Sequence, residues 1–169
     1  MKHIHAPYIY GAVRLRMLAE SDLRDTLAWR NRDGVRQQFK SPAPLEWESH
    51  HNWFLRYCEK SDDLVFVVEH VATGGKVGQV AIYSIDNVKR TAEIGRFVVS
   101  PEYQGQGLMR QGIEALMRFA SSELALRSVY LEAIETNARA RALYEALGFV
   151  QQEAVEGLIR MERSLNDHV

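Results

Sequence analysis

Gly105 and Gly107 stand two apart in the stretch SPEYQGQGLMRQGIEAL, which runs from Ser100 to Leu116. A polar turn opens there directly into an amphipathic helical stretch, and that combination suits an anion. Glycine lets the backbone take positive φ and come close to a ligand. The first turn of a helix leaves N–H groups without intrahelical partners, and these, with the helix dipole, favour a phosphate or pyrophosphate. Arg110, one turn in, adds charge. Two phosphate loops are excluded by residue. A P-loop needs Gly-Lys-Ser/Thr, but Leu108-Met109 follows Gly107, and a dinucleotide fingerprint needs glycine where Arg110 stands. On the turn alone, an ordinary strand-to-helix loop accounts for the glycines equally well.

The elements around this turn are legible from patterning. The 169 residues fit one domain, 1–169, with a flexible or loosely attached N-terminus over 1–10. Hydrophobic residues make up 46%, enough for a core. Ala12–Leu18 alternates as a strand, and a helix follows with Ser21 as its cap and Leu23, Leu27 and Ala28 as its apolar positions. PLEWESHHNWFLRYCEK predicts a second helix, and the stretch before it is irregular or briefly helical. Leu64–His70, VGQVAIYSID and Thr91–Val99 predict an antiparallel meander. A helix from about Gly107 to Glu123, the strand SVYLEAIE, the helix NARARALYEAL ended by Gly148, and two closing strands complete the chain. The fold class is α+β, with a single mixed, mostly antiparallel central sheet flanked by helices.

Lys+Arg is 21 against Asp+Glu 22, a net charge of -1, which argues against a broad nucleic-acid footprint. Cys58 is the sole cysteine, so no intrachain disulfide and no CxxC site is expected. No apolar run reaches membrane-spanning length and the first residues do not read as a signal peptide, so the expected location is cytoplasmic. His50 and His51 are adjacent rather than four apart, and no metal is expected. Cys58 is expected to be structural.

The stretch YLEAIETNARARALYEALGF, Tyr130–Phe149, decides between the readings of the glycine turn. With that turn, it resembles the GNAT superfamily of acetyl-coenzyme A-dependent N-acetyltransferases. Gln104, Gly107 and Met109 match the family's Gln/Arg-x-x-Gly-x-Gly/Ala turn, with Met109 in place of the usual small residue. Asn137, Ala140 or Ala142, Leu143, Tyr144, Glu145, Leu147, Gly148 and Phe149 match its second pattern. The resemblance implies acetyl-CoA as cosubstrate, with Gln104, Gly105, Gln106, Gly107, Met109, Arg110 and Asn137 around its pyrophosphate and Phe97, Val98 and Val99 pairing with pantetheine. It implies direct attack by a neutral primary amine, a backbone N–H stabilising the oxyanion, and Tyr144 protonating the departing thiolate. Glu132 and Glu93 are both candidates for the base, and reach decides between them.

For the acceptor, AWRNRDGVRQQF and ESHHNWFLRY look like the RimJ/RimL-like branch, and especially its nucleotide-sugar amine acetyltransferases. That implies an acceptor site with Trp29, Arg30, Asn31, Arg36, Trp53 and Tyr83, and a nucleotide-linked 4-amino-deoxysugar as acceptor. Arg30, Arg32 and Arg36 suit phosphate oxygens. Protein N-terminal amines fit the same branch, and KRTAEIGRFVVSPEYQGQGL is similar to spermidine acetyltransferases. A sensor that binds acetyl-CoA without transfer is the non-enzyme alternative. The expected partner is a small-molecule or peptide amine, with no nucleic acid and no membrane, and the chain a monomer or homodimer.

Overall fold

The computed structural model describes residues 2–39 and 42–165. Its elements in chain order are β1 (Tyr8–Tyr10), β2 (Val13–Met17), α1 (Leu23–Arg30), α2 (Trp47–Cys58), β3 (Asp63–His70), β4 (Lys76–Asp86), β5 (Thr91–Val99), α3 (Leu108–Ser122), β6 (Ser128–Ile134), α4 (Ala138–Ala146), β7 (Val150–Val155) and β8 (Leu158–Ser164). One eight-stranded sheet runs in the order β1-β2-β3-β4-β5-β6-β8-β7. Every pairing is antiparallel except β5 with β6.

The unbroken apolar run Leu64–Val68 is buried on both faces of the sheet. Successive strand side chains point to opposite sides. Leu64, Phe66 and Val68 therefore join the larger core with α3, while Val65 and Val67 join a smaller core with Phe54 and Tyr57 of α2. Both helices present one buried stripe: Ile113, Leu116, Met117 and Ala120 on α3, and His50, Phe54 and Tyr57 on α2.

Three expectations need correction. The first residues are docked: β1 pairs with β2, and the buried Lys2 donates from Nζ to the carbonyls of Lys60 and Asp63. A three-residue strand is too short to show a period. Ser21 does not cap α1. It lies in a 3₁₀ turn over Glu20–Asp22, and Asp22 holds the position, accepting from the Ala19 N–H at 2.8 Å. The buried face of α1 is Leu23, Thr26 and Trp29, not Leu27 and Ala28. Asp22 is also the hub of a charged cluster, with Arg16 at 2.9 Å and Lys76 at 2.9 Å. Burial raises its carboxyl, but the hydrogen bonds from Arg16 and Lys76 outweigh that and hold it at about 2.

Candidate active site

The site begins where the sheet comes apart. β5 and β6 pair only from Thr91 to Glu93. Beyond Glu93, β6 continues against β8, and β5 continues against β4. The divergence has a local cause. The β4–β5 register shifts between Gln79 and Ala81, so Arg96 and Phe97 stand opposite the single residue Val80. This is a β-bulge, which bends its strand. Arg96 sits there with φ at 54°. Its carbonyl accepts from Gln79 Nε2 at 3.0 Å, and its guanidinium donates to the buried Asp63 at 2.8 Å. The bulge is thus braced from the backbone and from the side chain.

A cavity of about 960 Å³ fills the wedge. Tyr144, Glu93 and Glu132 all line it, with Tyr83, Phe97 and Asn137. The Tyr144 ring packs at 6.0 Å from Phe97 and 6.2 Å from Phe149. Burial pushes its phenol up to about 12, so it holds its proton through the neutral range. Tyr83 donates to Glu93 at 3.3 Å. Burial and the Glu93 charge both raise the Tyr83 phenol, keeping it a donor. Glu132 is exposed on β6, in register with Arg160 of β8.

The glycine turn lies beyond the end of β5. Gly105 and Gly107 have φ at 79° and 74°, and Gly107 is the N-cap of α3. A Cβ at either would meet no atom within 4 Å, so backbone conformation, not crowding, calls for glycine there. The first N–H groups of α3 open onto the turn beside exposed Gln104 and Gln106. These features fit a diphosphate. Met109 does not obstruct it, because its side chain packs against the larger core. Room for it comes from Gly78 on β4, where a Cβ would stand 2.9 Å from Met109 Sδ. Arg110 is exposed and pairs with Glu114 at 3.4 Å. Asn137 caps α4, accepting from the Ala140 N–H at 3.1 Å, and donates to Gln38 at 2.7 Å. Arg32 donates to Gln104 at 3.3 Å. The loop between α1 and α2 therefore touches both the glycine turn and the α4 cap.

The acceptor set expected from the first two helices divides. Arg30 and Tyr83 line the large cavity, and Arg30 and Trp53 line a smaller one beside it. Trp29 is 8% exposed and lines neither cavity, because it lies on the buried face of α1. Asn31 braces its own loop through two hydrogen bonds of 2.8 Å with the Leu45 backbone. Arg36 pairs with Asp33 at 2.7 Å. These three have local structural work that a sequence cannot separate from ligand contact. Arg96, Arg56 and His50 also line these cavities, and none of them belongs to the acceptor set that the motifs imply. The signal for Arg96 was a lone cation inside the apolar strand EIGRFVV.

The acetyltransferase (GNAT) domain pattern matches residues 12–150. The chain belongs to the GNAT acetyltransferase family. It is an acetyl-CoA-dependent N-acetyltransferase. It is similar to the spermidine N(1)-acetyltransferase of Escherichia coli K12, 32% identical over 92% of this chain and 80% of that one. It is also similar to a putative ribosomal N-acetyltransferase of Bacillus subtilis, 33% identical over 50% of this chain and 46% of that one. Among solved structures, spermidine N-acetyltransferase from Vibrio cholerae in complex with CoA and spermine superposes with a TM-score of 0.81. It covers 93% of this chain and 98% of that one at 24% identity, which establishes the fold. A dodecameric structure of the Vibrio cholerae enzyme gives a TM-score of 0.77 at 24% identity, covering 94% and 96%. The GNAT assignment made from the two motifs therefore stands, whereas the narrower nucleotide-sugar branch finds no support in these relatives. No described helix of this acetyltransferase is long and apolar enough to cross a membrane.

Proposed function

We propose that this enzyme acetylates a primary amine of a small molecule by direct attack, with Tyr144 as the acid and Glu93 as the group that draws off the amine proton. The observation that carries the reading is the wedge between β5 and β6, where one cavity is lined by Tyr144, Glu93 and Glu132. Bound acetyl-CoA supplies the acetyl group as a reactive thioester.

The chain's own residues divide the remaining tasks. From Ile94 to Val99 the β5 edge facing β6 has no strand partner among the described residues and suits an extended pantetheine arm. The N-terminus of α3, with the Gly105–Gly107 turn, suits the diphosphate. Tyr144 holds its proton below about pH 12 and can deliver it to a leaving thiolate. Glu93 is steadied by Tyr83 on a half-buried strand, whereas Glu132 is exposed opposite Arg160. That contrast favours Glu93 as the base.

The relatives make a polyamine the reference acceptor, supported by 32% identity to a spermidine acetyltransferase across 92% of the chain. The dodecamer of the Vibrio cholerae relative makes a higher assembly, beyond a monomer or homodimer, the state to look for by sedimentation. Thiol release from acetyl-CoA over an amine panel, with mass spectrometry of the products, tests the proposal. A product gaining one acetyl group, lost in Tyr144→Phe, supports it. Cofactor binding with no thiol released by any amine would leave the sensor alternative instead.

A further inference from the structure

The smaller cavity has a different charge from the wedge it adjoins. It measures about 380 Å³ and lies beside β5 against α1 and α2. Three arginines line it, Arg30 from α1, Arg56 from α2 and Arg96 from the bulge, and no aspartate or glutamate does so among the described residues. Asp63 accounts for one of these charges through Arg96. The Arg56 side chain is exposed and has no hydrogen bond or ion pair among the described residues. Trp53 forms a flat wall, stacked on His50 at 5.6 Å and Tyr57 at 5.3 Å, with the Arg96 guanidinium 5.9 Å from its ring centre. His50 meets Thr26 at 3.0 Å, and burial together with Arg30 lowers its pKa.

The two cavities share Arg30, Phe39 and Arg96. The wedge adds Glu93, Glu132 and Glu156, whereas the smaller cavity adds only Arg56 to the charge. One molecule spanning both would meet carboxylates near Tyr144 and guanidinium groups at its other end. We infer that the smaller cavity is an acceptor subsite for an anionic group, a phosphate or a carboxylate, carried on the same molecule as the reacting amine. Guanidinium groups recognise both through paired N–H donors. An amine with an acidic tail matches both ends, whereas a polycation places like charges against Arg30 and Arg56. This inference rests on the acetyltransferase reading and narrows its acceptor away from the polyamines of the relatives.

The experiment compares kcat/KM for glucosamine 6-phosphate, 6-aminohexanoate, glucosamine and spermidine at neutral pH and fixed ionic strength, in wild type and Arg56→Gln. Thermal stabilisation by each amine and by inorganic phosphate is measured alongside. At least one anionic amine should exceed the neutral sugar by about tenfold or more, and Arg56→Gln should cut that ratio by about tenfold. The phosphate and carboxylate arms tell the two anions apart. If spermidine is the better substrate, and Arg56→Gln improves it, the anionic subsite is overturned while the acetyltransferase stands. If no amine is acetylated but phosphate and the sugar phosphate stabilise wild type and not Arg56→Gln, the subsite stands and the activity reading fails. If the anions give neither a rate advantage nor Arg56-dependent stabilisation, the subsite is overturned.

Discussion

The two sides of β5 are built on opposite principles. From β2 to β4 the sheet is continuous, its central strand is packed on both faces, and the polar cluster at one end is closed by Arg16, Asp22 and Lys76. From β5 to β6 the sheet opens after Glu93, and polar groups line the gap. Firmness in the first region allows the second to stay apart. A bulge that leaves an edge unpaired persists only where its surroundings hold it, and here Asp63 of β3 and Gln79 of β4 do so.

Loss of the phenol in the open half should have the largest effect. Tyr144→Phe should lower kcat by about 10²–10⁴-fold with little change in the affinity for CoA, read by steady-state kinetics and calorimetry. Equal turnover would remove Tyr144 from the acid role. In the firm half, Phe66→Ala should cost about 3–5 kcal/mol by urea unfolding, because the ring is fully enclosed and packs at 5.0 Å from Phe119. A small loss would mean that the core can collapse around the gap.

Asp22 gives a pH signature of about 2 kcal/mol. Its folded pKa, about 2, lies below the ordinary 3.8. The stabilisation is therefore complete above about pH 4 and disappears as the pH falls toward 2. Unfolding at pH 6 and pH 3 should show about half of that loss, about 1 kcal/mol, in wild type and a flatter profile in Asp22→Asn.

The phenol of Tyr144 makes a second pH prediction, without a large energy. Because burial raises it to about 12, kcat should show no alkaline fall from this group up to about pH 10. A fall centred near the ordinary phenol value would place the proton donor elsewhere.

The smallest effect belongs to the turn. Gly107→Ala forces a side chain into left-handed backbone at about 1–2 kcal/mol. The KM for acetyl-CoA should rise by about five- to tenfold. No rise would mean that the turn does not hold the cosubstrate.

The comparison also explains what was legible in the sequence. The firm region follows local rules. The apolar run Leu64–Val68 and the stripe of α3 announced their elements, and the glycine turn with LYEALGF announced the family. What escaped depends on distant partners. Trp29 is expected at the acceptor site, but tryptophan serves a core and a ligand equally well, and only the placement of α1, with Trp29 on its buried face, decides between them. The Arg96 bulge depends on Gln79 and Asp63, which lie 17 and 33 residues away. No window of sequence contains that geometry. Glu93 and Glu132 are both candidates in the sequence, but their different surroundings, Tyr83 hydrogen-bonded to one and Arg160 in register with the other, come only from the folded sheet.

The unpaired edge of β5 carries one more consequence. If the pantetheine arm lies along it, the cosubstrate serves as a removable strand, and the amides of Ile94–Val99 that face the gap become protected only while it is bound. Deuterium uptake along that segment would then fall as cofactor occupancy rises and recover as it is lost, making the backbone itself a reporter of saturation before any acceptor is known.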